Sequence, residues 1–359
     1  MMKNTGSIQA ITGAETLHNA ALPQEQIEFC ELTAPLSSET AWQVESLLLK
    51  IFEYTDYSIR SALAGRYSST LTCMFCIAKH QNRVVAAAGG LYPRANSLVA
   101  IVGPVGVHED FRRRGIATQL VRCIVHALQQ QHLRAAYLAV AKTSKAENLY
   151  RTVGFRTYQG IVMRHLLNQS RDFDERYFAK DSRTQIRHAD WGDFPGVLAL
   201  AAAPARMHTF DFERGLFSSR YVEPARFLSI FPEMMRHFER YGGFAKVLVA
   251  KETQNIVGIA QLRLLPSQAQ RHAAQLDFFV HDNFLEDTEP LVRSVLDEAA
   301  KSGIRIINCC CLGCDHLKQN VIEALGARQI AVLPQNVRIS GHYEDVFVYR
   351  FGEITNAKD

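Results

Sequence analysis

The sequence predicts an α/β (α+β) chain built as two similar domains in tandem. Three observations lead there. The chain has 359 residues, long for one domain when domains run to roughly 100–200 residues. Both halves pass through the same succession of strand-like and helical patterns. Val107-His108-Glu109-Asp110-Phe111 also matches Val280-His281-Asp282-Asn283-Phe284 at an offset of 173, and Val153-Gly154-Phe155 matches Leu325-Gly326-Ala327 at 172. Two anchors at nearly one offset, each between a strand and a helix, indicate a duplication.

Residues 1–26 are polar and lack sustained periodicity, so they read as a flexible N-terminal arm. A strand is expected near Ile27–Leu32. From Ser38, Trp42, Val44, Leu47, Leu48 and Ile51 recur at helical spacing, and Ser58–Ala64 reads as a second helix. Leu71–Lys79 and Val84–Leu91 form strands joined by a polar turn at 80–83. Leu98–Val107 is an apolar run suited to a central strand. Ile116, Leu120, Cys123, Ile124, Ala127 and Leu128 make one helical stripe. After a strand at Ala135–Ala141, Ser144 and Glu147 have capping-box spacing, and that short helix stops at Gly154. Phe155–Leu166 is strand-like and closes a first domain spanning 27–167. Residues 168–182 are charged and polar and read as a linker.

The second domain, 183–359, repeats the order. A strand lies near Gln185–His188, with helices around Phe194–Ala202 and Pro224–Tyr241. Strands follow at Ala245–Ala250, Ile256–Leu264 and Ala274–Val280. A helix at Glu289–Lys301, a strand at Ile304–Cys310 and a helix at Asp315–Leu325 precede final strands near Gln329–Val332 and Asp345–Phe351.

Apolar residues make up 47 % and charged residues 21 %, the net charge is +4 and the pI is about 8.6, ordinary for a soluble globular chain. The basic residues form no stripe with interleaved aromatics, which argues against nucleic acid. No run approaches 18 apolar residues and the N-terminus has no apolar h-region, so neither a membrane span nor a signal peptide is expected. The expected setting is cytoplasmic, with the eight cysteines reduced. Cys73 and Cys76 lie on a strand, where positions i and i+3 face opposite sides. Cys311 and Cys314 end another strand-like run. Buried thiols, with no metal, are the reading of both pairs.

The sharpest local signal is Val105-Gly106-Val107-His108-Glu109-Asp110-Phe111-Arg112-Arg113-Arg114-Gly115-Ile116-Ala117. A strand enters an arginine-rich turn, and a helix starts at once. The first helical turn leaves N–H groups unpaired at the positive end of the dipole. Gly115 and Ala117 let an anion come close, and Arg112 and Arg114 add charge. Alone, this is also how a solvated basic turn looks.

Together with Leu149-Tyr150-Arg151-Thr152-Val153-Gly154-Phe155, the segment resembles the GNAT superfamily of acyl-CoA-dependent N-acetyltransferases. Its phosphate-binding pattern Arg/Gln-x-x-Gly-x-Gly/Ala stands here as Arg112 to Ala117, and its Leu-Tyr-x-x-x-Gly-Phe motif as Leu149 to Phe155. The resemblance is specific over Leu98–Phe155. It implies tandem domains, each a mixed, mostly antiparallel twisted sheet flanked by helices. It further implies that Val105, Gly106 and Val107 meet the pantetheine arm and that the amides of Arg112, Arg113, Arg114, Gly115, Ile116, Ala117 and Thr118 hold the pyrophosphate. Tyr150 would protonate the departing CoA thiolate. Thr143 stands where the family often has Asn.

The expected reaction is transfer of an acyl group, most simply acetyl, from acyl-CoA to a primary amine of a small molecule. A protein amine, or a non-catalytic acyl-CoA-binding regulator, are the alternatives. Leu98–Val107 carries no carboxylate, so the base is sought among His108, Glu109, Glu53, Asp56, Tyr57 and a water relay. In the second half Leu285 replaces Arg112, Thr288 replaces Gly115, Pro290 replaces Ala117 and Ile322 replaces Tyr150. The turn there is acidic and repels a pyrophosphate, so the second domain is expected to keep the fold without the cofactor.

Overall fold

The computed structural model describes residues 27–52, 57–95, 98–140, 144–180, 183–208, 210–211, 215–216, 228–267, 270, 272–339 and 342–352. The arm at 1–26 lies outside them. The first half contains β1 (Ile27–Thr33), α1 (Ser38–Phe52), α2 (Tyr57–Leu63), β2 (Leu71–His80), β3 (Arg83–Pro93), β4 (Val99–Val107), α3 (Ile116–Gln130), β5 (Ala135–Ala139), α4 (Ala146–Thr152), β6 (Arg156–Gln159) and β7 (Val162–Leu166). A short α5 (Phe173–Tyr177) lies between the halves. The second half contains β8 (Thr184–His188), α6 (Phe194–Ala202), β9 (Phe210–Asp211), β10 (Gly215–Leu216), α7 (Ile230–Tyr241), β11 (Gly243–Ala250), β12 (Ile256–Leu264), β13 (Ala273–Val280), α8 (Thr288–Lys301), β14 (Ile306–Leu312), α9 (His316–Ala324), β15 (Ala327–Ile339) and β16 (His342–Phe351).

The duplication is written in the sheet topology. The first sheet runs β1-β2-β3-β4-β5-β7-β6 and the second β8-β11-β12-β13-β14-β16-β15. Each has seven strands in corresponding order. In both, the fourth and fifth strands are parallel and the other neighbours antiparallel. The tail of the first half is a compact hairpin, β6–β7, within its own sheet.

Local chemistry accounts for most boundaries. The β2–β3 hairpin turns on Gln81 and Asn82, both at positive φ (49° and 63°), the backbone that a two-residue turn needs to match strand twist. The α3 stripe is realised: Ile116, Leu120, Ile124, Ala127 and Leu128 are buried against one face of the first sheet. The opposite face of β2 and β3 packs on α1 and α2 through Val44, Leu48, Ile59 and Leu63. Cys73 and Cys76 fall on opposite faces, one in each of these clusters. Cys76 meets Cys123 of α3 sulfur to sulfur at 2.6 Å.

Four local readings differ. Cys311 is buried but Cys314 is exposed, since it lies in the turn beyond the end of β14. Trp42 is 68 % exposed, because the buried stripe of α1 is Val44, Leu47 and Leu48 and position 42 points away from it. The capping box at α4 is half formed: Ser144 Oγ accepts from the Ala146 N–H, while Glu147 is drawn to Arg151 at 2.6 Å. The charged connecting segment is anchored by aromatics. Phe173, Tyr177 and Phe178 are buried, and Asn255 donates to the Tyr177 carbonyl at 2.9 Å.

The halves share one core. Val99, Ile101, Ala135, Tyr137 and Val162 of the first sheet pack in the same cluster as Val197, Leu198, Leu200 and Phe231 of the second half. Tyr67 stacks on Trp191 with ring centroids 3.9 Å apart. The feature that shapes the first sheet is a bulge. Ala88 faces Val105 and Gly90 faces Val102, so Gly103 and Pro104 stand against Gly89 alone. A Cβ on Gly89 would lie 2.7 Å from the Gly103 carbonyl oxygen. That neighbour is backbone and cannot swing aside, so Gly89→Ala is expected to lower unfolding free energy by about 1–3 kcal/mol, measured by urea denaturation.

Candidate functional site

β4 and β5 pair only at Val99↔Ala135, Ala100↔Ala136 and Ile101↔Tyr137. Beyond that point the strands part, β4 running on to Val107 and β5 to Ala139. The fork leaves one edge of β4 without a strand partner. The His108 N–H donates to Val85 of β3 at 2.8 Å. Strand alternation therefore turns the Val105 and Val107 N–H groups toward the open edge. The Val107 carbonyl is already engaged there by Arg112 Nε at 3.1 Å. Gly106 serves the other face, since a Cβ there would sit 2.8 Å from Ile51 Cδ1 of α1.

The arginine turn is held open by its own side chains. Arg114 donates to the Asp110 carbonyl at 3.0 Å and lies 5.1 Å from the Phe111 ring centroid. Arg113 and Gly115 take positive φ, 64° and 79°. Gly115 is the residue before α3, and nothing lies within 4 Å of where its Cβ would stand. The first intrahelical bond runs from Gln119 N–H to the Gly115 carbonyl. The amides of Ile116, Ala117 and Thr118 precede it and have no acceptor within the helix. The turn is thus an exposed nest of donors at the positive end of a 15-residue helix. Arg112, Arg113 and Arg114 are exposed beside it.

Tyr150 lies on α4 and packs with Val105 and Val107 against the cluster that α3 covers. Its ring meets Phe155 edge-on, with centroids 6.1 Å apart. Burial pushes its phenol up to about 12, so the proton stays on across the neutral range. Thr143, Glu53 and Asp56 lie outside the described residues, as does the Tyr57 side chain. Glu109 is exposed and ion-paired with Lys50 of α1 at 3.1 Å. The hydrogen bond and charge of Lys50 lower its pKa, which makes it a weaker base. The His108 ring accepts from the Asp110 N–H.

Sequence reasoning missed a polar cluster near the root of the fork, where Tyr137 is the last β5 residue paired with β4. Arg164 of β7 lies 3.7 Å from the Tyr158 ring centroid and bonds Asp174 at 2.5 Å. Burial raises both the Tyr137 and the Tyr158 phenol well above the ordinary range. No motif marks these positions, and only the fold brings them together. The bulge did leave a signal, a proline inside a central strand.

The second half keeps the fork and seals it. β13 and β14 pair as far as Leu276↔Cys309. The next residue, Asp277, takes the place of the Gly103–Pro104 bulge, and the β12–β13 register runs on unshifted. The fully buried Lys318 of α9 pairs with Asp277, and its Nζ donates to the His208 carbonyl at 3.0 Å. Burial works to lower the Lys318 pKa, but Asp277 outweighs it and the ammonium stays charged. Asp315 binds the Lys318 and His208 N–H groups at 3.1 and 2.7 Å. The counterpart of the arginine turn is covered as well. Phe178 stacks on His281 at 3.9 Å, Asn283 donates to the Phe178 carbonyl, and Lys180 pairs with Glu286. Ile322, at the Tyr150 position, is fully buried in the core.

A family model described as acetyltransferase (GNAT) family matches residues 41–155. Among solved structures, the chain is similar to a ribosomal-protein-alanine N-acetyltransferase from Brucella melitensis, at 18 % identity, covering 46 % of this chain and 98 % of that one, with TM-score 0.38. It is similar to a GNAT-family acetyltransferase from Streptococcus pneumoniae at 15 %, covering 47 % and 98 %, with TM-score 0.37. For an N-acetyltransferase from Staphylococcus aureus Mu50 the figures are 13 %, 48 % and 99 %, with TM-score 0.38. No curated protein matches the sequence. No helix among the described residues is long and apolar enough to cross a membrane.

The sealed fork yields a prediction of its own. Removing one member of a buried ion pair strands the other, at a cost of about 3–5 kcal/mol. Lys318→Met is expected to destabilise the protein by that amount in denaturant titrations. Adding Asp277→Leu should recover most of the loss.

Proposed function

We propose that the chain, whose residues 41–155 match a family model described as acetyltransferase (GNAT) family, transfers an acyl group, most simply acetyl, from acyl-CoA to a primary amine of a small molecule. The working site belongs to the first half, 27–167. The second half, 183–359, is a scaffold that has lost the cofactor. The observation that carries this reading is the pairing of an open fork with a donor-rich turn in one half, against a sealed fork and a covered turn in the other.

The residues present fit acyl-CoA. Gly115 leaves the helix N-terminus open to a phosphate, and the amides from Arg113 to Thr118 supply donors around it; the Arg112 N–H is taken by the Glu109 carbonyl at 3.2 Å. The N–H groups of Val105 and Val107 are free for the amide-bearing arm, with Gly106 between them. Bound acyl-CoA supplies a thioester carbonyl as electrophile. An attacking amine would form the new C–N bond as the C–S bond breaks and would release one N–H proton to solvent, from which Tyr150 regains the proton that it gives to sulfur. Tyr150 holds a proton at its phenol oxygen and gives it to the departing sulfur. Its desolvated surroundings keep that proton in place until negative charge develops nearby. Such a positioned acid contributes on the order of 10²–10⁴ in rate. A wall contributed by a second domain favours a small acceptor over a protein surface.

Calorimetric titration with acetyl-CoA is expected to give one site per chain. Two sites would overturn the scaffold assignment, and no binding would overturn the enzyme reading. In a screen of amines, Tyr150→Phe is expected to lower kcat about 10²–10⁴-fold with little change in acetyl-CoA affinity. Because the phenol is held to about 12, wild-type rates should show no alkaline decline from this residue between neutral pH and about pH 10.

A further inference from the structure

A cavity of about 90 Å³ lies between the first sheet and the second half. It reaches β4 at Ile101, Gly103 and Pro104, which are the last residue paired with β5 and the two residues of the bulge. Its first wall is Ile59 and Ala62 of α2 with Phe75 of β2. Its second wall is Trp191, Phe194, Leu228 and Pro232. None of its 14 lining residues is charged. Among the described residues that line it, the only side-chain polar atoms are on Tyr67 and Trp191, whose rings stack on each other. A larger cavity, of about 170 Å³, lies at the other end of β4, by Leu98 and Val99. Its Arg187 is committed to Asp193 by two bonds at 2.6 and 2.8 Å, so that cavity has a structural explanation.

The geometry points to the 90 Å³ cavity as a specificity pocket for an uncharged hydrocarbon group of one of the two reactants, with Trp191, Phe194, Leu228 and Pro232 of the second half setting its length. The inference rests on the acyltransfer reading. A space bounded by apolar atoms offers water too few partners to hold it, and a cationic tail would lose its hydration without compensation. The space is smaller than the roughly 150 Å³ that accepts benzene, so it suits a short aliphatic group. It is also kept open: Ala62 of α2, a small residue, lines it where a larger side chain would restore the lost dispersion contacts. The hydrocarbon arrives either as an acyl chain longer than acetyl or as the apolar end of the acceptor amine.

The test uses the full chain in two calorimetric arms, with free CoA as the reference titrant in each protein. In the first arm acetyl-CoA and butyryl-CoA are compared. Each methylene buried contributes roughly four-fold, so an acyl pocket gives butyryl-CoA about 15-fold tighter binding. In the second arm methylamine and butylamine are titrated into CoA-saturated protein, and an acceptor pocket gives butylamine, with its three further methylenes, an advantage of about 60-fold. Whichever arm shows the preference, Ala62→Leu is expected to abolish it and Leu228→Ala to move it to the six-carbon homologue. Two variants acting in opposite directions keep the outcome readable if one folds poorly, with circular dichroism as the check. Equal affinities in both arms, or a preference that neither variant moves, would overturn the pocket. Failure of CoA itself to bind is a different result. It removes the acyltransfer reading, while the amine arm, run without CoA, still decides whether the cavity takes an aliphatic group.

Discussion

The rest of the structure depends on how a parallel strand pair parts company. Where β4 leaves β5, backbone donors and acceptors lose their ladder partners inside a protein, and such groups must find others. The chain solves the problem twice, in opposite ways. In the first half Gly103 and Pro104 form a bulge in β4, Arg112 caps the Val107 carbonyl, and the remaining edge has no strand partner among the described residues. In the second half the strand runs straight, and a lysine from the following helix enters the gap to meet Asp277.

These two solutions carry different energetic logic. An open fork keeps its donors near water until a ligand arrives, so the unliganded protein loses little. A sealed fork commits two charges to the interior, where desolvation offsets most of their attraction. The pair is tolerable because the surroundings complete it. The His208 carbonyl and the Asp315 carboxylate satisfy neighbouring groups, and the Phe278 ring lies 4.9 Å from the ammonium. With that network in place, the second half no longer has a vacant slot to refill. It has become a rigid body whose apolar face can cover the first sheet.

How much of this was legible in the sequence depended on the range of the interaction. The stripe of α3, the Gly115 stop before it and the glycine ending α4 are set by residues a few positions apart, and each was read directly. The duplication was legible because the strand–turn–helix junction repeats its local sequence in both halves. What escaped was long-range. Lys318 looks like a surface residue of an amphipathic helix until β13 supplies Asp277 from 41 positions away. Trp42 matches the helical spacing of α1 yet lies on its outer face, because periodicity alone does not say which side is covered. The connecting segment reads as polar by composition, although Phe173, Tyr177 and Phe178 anchor it. Three aromatics outweigh many charges once there is a core to receive them.

The covering of the first sheet bears on what the second half does for the first. A lone domain of this topology would expose Ile101, Tyr137 and Val162 on the face away from α3, an apolar strip unsuited to water. Here α6 packs against β4, and the stack of Tyr67 on Trp191 ties the two bodies together at the edge of that strip. The second half therefore cannot be lost without exposing the first. Its residues beside the bulge are free to vary in size so long as they remain apolar, since they meet the first sheet through contact area and through no buried charge. Stability fixes the presence of this wall, and function is left to choose its shape.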